Sequence, residues 1–229
     1  MSGTLLGVAD DDRAKHERVR DAYDAVASDY DRALADELNG KPLDRKLLEA
    51  FVELVVEGTI ADVGCGPGHV TRFLAGLHDD VIGIDLSAVM IDVAKEHAPD
   101  LEFQVASMLD LPVRNGAWAG AVTFYSVIHF HDGQRAGAWR ELARAIRPGG
   151  WLLVAFHVDS ADHQAGEINH VTEWSGRVVD LDGHFLDPVN VIGELELAGF
   201  SVVAQVDRAP NPSVEYPSRR CYVLVQRRP

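Results

Sequence analysis

Val19, Ala22, Tyr23, Val26, Ala27, Tyr30 and Leu34 recur three and four positions apart, which predicts one long helix over residues 10–36. Asn39-Gly40-Lys41-Pro42 breaks that pattern, and a second helix is expected from Leu43 to Val56, closed by Gly58. The rhythm then changes to short apolar runs alternating with helical stretches. The reading is strand 59–63, helix 68–77, strand 81–85, helix 87–97, strands 101–105 and 119–125, helix 134–146 and strand 151–156. Strands alternating with helices of this length predict an α/β fold: a doubly wound, mostly parallel sheet with right-handed crossovers and helices on both faces. Residues 158–187 leave the rhythm, with strand-like pieces and Gly176 and Gly183 as turn signals. They read as an insertion placed to cap a substrate. A helix from Pro188 to Ala198 and strands 201–206 and 221–226 complete the sheet.

Composition narrows the class. A chain of 229 residues, 47% hydrophobic and 25% charged, has the profile of a globular protein with one substantial core. No apolar run approaches the ~20 residues needed to span a bilayer, and residues 1–13 lack the basic start and apolar core of a secretory signal. Cys65 and Cys221 are too few for a disulfide framework or a zinc site of their own. A cytoplasmic location is expected. The formal net charge of −15 argues against nucleic acid or an anionic membrane as the main partner. Positive charge gathers in Arg219, Arg220, Arg227 and Arg228, which read as a solvated edge.

The chemistry concentrates in Ile60-Ala61-Asp62-Val63-Gly64-Cys65-Gly66-Pro67-Gly68, where an apolar strand enters a glycine-rich turn before a helix. Asp85 ends the next apolar run, 21 residues after Gly64, at the spacing of a ribose acceptor in nucleoside-binding folds. A dinucleotide turn would want a small residue where His69 stands, and a phosphate would want the N–H that Pro67 removes. The Asp62 carboxylate repels a diphosphate and attracts an ammonium or sulfonium. A positively charged nucleoside without phosphate, such as S-adenosylmethionine, fits all three facts, and a nicotinamide oxidoreductase fits them poorly.

Asp62 to Gly68 resembles the acidic-x-G-x-G-x-G motif of class I S-adenosylmethionine-dependent methyltransferases, and Ile82-Gly83-Ile84-Asp85-Leu86-Ser87 is similar to their second motif. Leu111-Pro112-Val113, Phe124 to His129 and Leu142 to Gly150 follow in the family's order, so the resemblance covers roughly residues 20 to 157. It implies a Rossmann-like seven-stranded sheet with an antiparallel last strand, the last two strands forming an edge hairpin. One methyltransferase domain is then expected over 1–229: an N-terminal helical lid over 1–57, a cofactor-binding core over 58–157, a cap insertion over 158–187, and a C-terminal helix and edge hairpin over 188–229.

On that resemblance the cofactor site comprises Asp62, Gly64, Cys65, Gly66 and Gly68 around the methionine portion and Asp85 on the ribose. Leu86 and Met90 pack against the adenine, and Tyr23 and Tyr30 close over the ligand from one helix face. Where the family has Gly-Asp after its third strand, this chain has Ala106-Ser107; Ser107 can still accept from the adenine amino group, with Met108 offering its backbone N–H. Phe124, Tyr125 and Ser126 end the fourth strand beneath the transferable methyl. His129, one turn on, shapes the site or takes a proton from the nucleophile. His157, Trp174 and Glu173 are expected at the acceptor. None of the ten histidines falls in a zinc signature, so no metal is expected. The expected activity is methyl transfer by in-line displacement to a small-molecule nucleophile. An S-adenosylmethionine-binding regulator or scaffold without transfer is the alternative, and an NAD(P)-dependent oxidoreductase a weaker one. The methyl acceptor is the expected partner, with neither nucleic acid nor membrane; a homodimer is left open.

Overall fold

The computed structural model describes residues 3–211 and 213–229, and side chains from residue 14 onward. Two helices precede the sheet: α1 (Gly3–Leu34) and α2 (Pro42–Leu54), joined by a 3-10 turn over Glu37–Gly40. The alternating region gives β1 (Ile60–Val63), α3 (His69–Ala75), β2 (Val81–Asp85), α4 (Ala88–His97), β3 (Glu102–Val105), β4 (Trp118–Phe124), α5 (Asp132–Ala145) and β5 (Ile146–Ser160). A hairpin, β6 (Ile168–Trp174) and β7 (Arg177–His184), stands apart, followed by α6 (Pro188–Leu197), β8 (Phe200–Arg208) and β9 (Ser218–Arg227).

Seven strands form the main sheet in the order β3-β2-β1-β4-β5-β9-β8. The first five pair in parallel, and β9 runs antiparallel to both its neighbours. The chain starts in the middle at β1, winds out to β3 and returns to β4 on the other side. That reversal leaves a crevice beyond the carboxyl ends of β1 and β4, where open α/β sheets hold their ligands. All four residues of β1 are buried, the continuous burial expected of a strand covered on both faces. One face of the sheet packs Trp139, Leu142, Ile146, Phe156 and Phe200, and the other Leu48, Phe51, Leu74 and Tyr222.

Several details differ from the sequence reading, among them the start of β5 at Ile146 rather than 151. α1 begins at Gly3 rather than residue 10, although its opening GTLLGVADDD carries two glycines and an acidic run that weigh against a helix. β5 extends to Ser160 because β9 pairs with it from Trp151↔Gln226 out to Ser160↔Ser218, across a bulge between His157 and Asp159. In the hairpin Ser175 and Gly176, at φ +50 and +78, make the turn; Gly183 lies inside β7 opposite Asn169. The four arginines also separate: Arg219 and Arg220 start β9 and Arg227 ends it.

α5 and α6 are locked together beneath the site. Arg135 reaches Glu194 through Nε at 2.8 Å and Nη2 at 2.7 Å, while the Trp139 indole donates to the same carboxylate at 2.9 Å. A third arm of Arg135 donates to the Phe130 carbonyl at 3.2 Å, fixing the turn that follows β4.

Candidate functional site

The glycine turn is shaped by contacts that leave no room for side chains. Gly64, Gly66 and Gly68 all have positive φ. A Cβ on Gly64 would lie 2.2 Å from the Ser126 Cβ, because the ends of β1 and β4 meet there. Ser126 completes the junction by donating to the Val63 carbonyl at 3.1 Å. Gly68 abuts Phe103 and Ala94, and Cys65 is buried among Ile91, Ala94 and Phe103, facing the core.

Two buried carboxylates support this turn. Asp62 accepts the Thr71 hydroxyl at 2.7 Å from beneath the loop, and burial pushes its carboxyl up to about 6 despite that bond. Asp85 takes the Gly66 N–H on Oδ2 and the Ser87 N–H on Oδ1, both at 2.8 Å; burial raises its pKa as well, against those bonds. Each oxygen keeps a further acceptor site for a hydroxyl. Ser87 caps α4 by accepting from Met90 N at 3.0 Å, so the cap does not compete for Asp85.

Above the turn lies a cleft, partly open to solvent, roofed by α1. Its walls bring together Tyr23, Gly64, Asp85, Leu86, Met108 and His129 from the sequence reading. Ser126, at the end of β4, joins them. Lys15, His16, Val19 and Tyr23 form the roof as one stripe of α1. Lys15 and His16 were missed because polar residues interrupt the apolar pattern there; their spacing of eight and seven from Tyr23 was the available signal. The His16 Nε2 is buried against this cleft without a hydrogen-bond partner among the described residues. Phe130 and Gln134 were missed too, since their helical turn packs over the cleft only in the folded chain.

His129 has both ring nitrogens engaged. Nδ1 lies 2.8 Å from the Asp182 carbonyl, which can only accept, so Nδ1 carries the hydrogen. Nε2 therefore accepts from the Tyr23 hydroxyl at 2.7 Å. Burial depresses the imidazole to about 4, outweighing the bond to Asp182. A second cavity lies beyond this ring, between α1, α5 and the hairpin, sharing Lys15, Val19, His129 and Gln134 and adding Arg18, His131, Ile168, Asp180, Asp182 and His184.

The other predicted residues take supporting positions. Tyr30 lies 3.8 Å from where a Gly66 Cβ would be, meets Tyr23 edge-on at 5.7 Å, and packs against Trp174 at 5.7 Å. Trp174 thereby clamps the hairpin to α1 rather than lining the cleft; Glu173 is exposed beside it. Met90 is buried on the inner face of α4. The Ser107 hydroxyl accepts from Leu109 N at 3.0 Å within its own turn. Tyr125 and His157 point away from the cleft. At φ +58 the Tyr125 backbone turns its ring to the α2 side, where it stacks on His157 at 4.9 Å and its hydroxyl meets that of Tyr222 at 2.9 Å. His157 lies 2.6 Å from the Ser218 hydroxyl, and burial together with Arg220 and Lys41 lowers it to about 3.

That region holds an ionic network. Arg208 pairs with Asp44 at 3.0 Å and with Glu215, which also meets Arg220 at 3.1 Å and Lys41 at 3.5 Å. Lys41 reaches Glu37 at 2.6 Å, and Glu37 accepts His69 of α3 at 3.1 Å. Among the described residues no group of three or more His, Cys, Asp or Glu side chains is placed to hold a metal, and no helix is long and apolar enough to cross a membrane.

The site's residues fit an S-adenosyl ligand: Gly64 and Asp85 are a close-approach backbone and a carboxylate with no Lys or Arg partner among the described residues, which suits a cationic nucleoside.

Comparison with known proteins bears on the same segment. Residues 60–150 match the family described as a methyltransferase domain. An O-methyltransferase, cnsE of Penicillium expansum, is 37% identical over 103 residues, covering 42% of this chain and 37% of that protein. The mouse (Mus musculus) tRNA (carboxymethyluridine(34)-5-O)-methyltransferase ALKBH8 is 36% identical over 110 residues, 45% of this chain and 15% of that protein. The chain thus spans well under half the length of these curated relatives. Over almost its whole length it superposes on DhpI in complex with SAH, with a TM-score of 0.72 and 24% identity, covering 93% of this chain and 97% of that one. The motif residues, the crevice they build and these matches agree: residues 60–150 are similar to the methyltransferase-domain family, in a chain that shares its fold with DhpI.

Proposed function

We propose that the protein transfers a methyl group from S-adenosylmethionine to a hydroxyl of a small molecule, and that Tyr23 and His129 handle the proton released. The carrying observation is the Tyr23–His129–Asp182 chain, which stands between the cleft above the glycine turn and the cavity under the hairpin. Asp85 would hold the ribose and Gly64 the methionine backbone. Leu86 and Met108 would flank the adenine, while Asp62 would act from beneath the loop through its charge. The cofactor supplies an activated methyl, so the chain's main task is alignment, which analogies value at about 7–11 kcal/mol.

The acceptor's hydroxyl would reach into the cleft beside Tyr23 and His16 Nε2, its remainder lying in the cavity beyond His129. A hydroxyl that gains a methyl becomes far more acidic than before. Its proton would pass to the Tyr23 oxygen as the Tyr23 proton moves to His129 Nε2. A base depressed to about 4 suffices for so acidic a donor. The formal charge of −15 and the roof that α1 lays over the cleft support a small acceptor over a nucleic acid.

Labelled-methyl transfer to a panel of hydroxylated small molecules, with total tRNA as competitor, tests the acceptor class. His129→Gln is expected to lower kcat by about 10²–10⁴-fold while cofactor Kd, measured by calorimetry, stays near the parent's. Transfer to tRNA alone would overturn the acceptor class. Tight cofactor binding without any transfer would favour a regulatory protein. An unchanged kcat in His129→Gln would remove the relay.

A further inference from the structure

Four arginines meet at the pole of the molecule opposite the cleft, where β4 and β8 begin and β9 ends. Arg140 and Arg144 of α5 and Arg227 and Arg228 line an open groove there with Asn115, Ala143, Ala198, Gly199 and Pro229. No aspartate or glutamate lines it, in a chain with 36 acidic and 21 basic residues.

The arginines are held in place mostly without being neutralised. Arg227 donates to the Ile146 carbonyl just past the end of α5, and Arg228 to the Glu196 carbonyl in the last turn of α6. The carbonyl-rich ends of helices favour cations at such positions. The main chain of Arg228 is anchored as well, its N–H donating to the Gly199 carbonyl at 2.9 Å. Arg144 is the exception: Glu141 takes it on two arms, at 2.8 and 2.6 Å. Its remaining arm donates to Val113 O at 2.6 Å and Asn115 Oδ1 at 3.1 Å. Arg140 is exposed and makes no ion pair or hydrogen bond among the described residues.

We propose that this groove binds a small oligophosphate anion, at a site distinct from the methyl-transfer cleft. Guanidinium forks match pairs of phosphate oxygens, and one monoanion could engage only one of them. A chain of two or more phosphates would span Arg140, Arg227 and Arg228 together, with no aspartate or glutamate side chain on the groove's lining to repel it.

Calorimetric titration of the full chain with inorganic tripolyphosphate, pyrophosphate and orthophosphate at low ionic strength provides the test. The expected result is saturable one-to-one binding of tripolyphosphate, at least about tenfold tighter than orthophosphate and weakened by added salt. The double variant Arg140→Gln/Arg228→Gln, altering two exposed side chains, should weaken it by about tenfold or more. Its S-adenosylmethionine affinity should not move. Arg219→Gln, at the other pole, should bind like the parent. The proposal is overturned by absence of saturable binding, by undiminished binding in the double variant, by displacement with S-adenosylmethionine, or by an oligoribonucleotide binding where tripolyphosphate does not.

Discussion

Two pairs of buried carboxylates sit on the carboxyl-end rim of the sheet, and they are held in opposite ways. Asp62 and Asp85, around the glycine turn, accept only a hydroxyl and backbone N–H groups, and burial raises both. Glu37 and Glu215, in the turn before α2 and in the β8–β9 loop, are ringed by cations. Burial alone would raise them too, but His69 and Lys41 hold Glu37, and Arg208 with Arg220 holds Glu215, each at about 2. The second pair has its counter-charges built in, which makes it structural. The first pair's negative charge is left uncompensated, and a cationic ligand would complete it. Burying charge without a partner is costly, so an uncompensated pair beside a cleft is the more informative of the two.

The sharpest way to break this contrast is Arg208→Leu. Asp44 and Glu215 would lose a buried partner, and breaking such a pair costs about 3–5 kcal/mol, read from urea unfolding, with cofactor affinity changed by less than about twofold. A large loss of affinity at unchanged stability would show that the network belongs to the ligand site.

Asp85→Asn should do the reverse. Removing the acceptor of a buried donor pair costs about 1–3 kcal/mol of cofactor binding, roughly a five- to 150-fold rise in Kd. Unfolding stability should fall less than in Arg208→Leu: the buried charge is gone, but the amide nitrogen cannot accept the backbone N–H that one carboxylate oxygen held. Unchanged Kd would take Asp85 out of the ligand site.

The smallest effect comes from protons. Asp62, raised to about 6, contributes stability that is complete below its ordinary value and lost as pH climbs through about 6. Glu37 has the opposite sign: its contribution is present above its ordinary value and lost as pH falls through about 2. If the cofactor's cation feels ionised Asp62, its affinity should fall by about tenfold for each pH unit below 6. Asp62→Asn should flatten that profile in calorimetry between neutral pH and about pH 5. A parent profile that is already flat would sever Asp62 from the ligand.

The chain's local patterns sufficed for the alternation of strands and helices, the turn from Gly64 to Gly68 and the placement of Asp85 at a strand end. Each is written in neighbouring residues, because backbone dihedrals, caps and apolar periodicity act over a few positions. Folding alone decided the rest. Tyr23 and His129, 106 residues apart, share a hydrogen bond only because α1 lies across the end of β4. Arg208 and Asp44 stand 164 positions apart in the same way. Tyr125 follows Phe124 in the motif, yet its left-handed backbone turns the ring from the cleft into the ionic network. Lys15 and His16 look like a solvated stretch until the roof closes over Gly64. Side-chain partners across such distances depend on how whole elements pack, and no short window of sequence contains that.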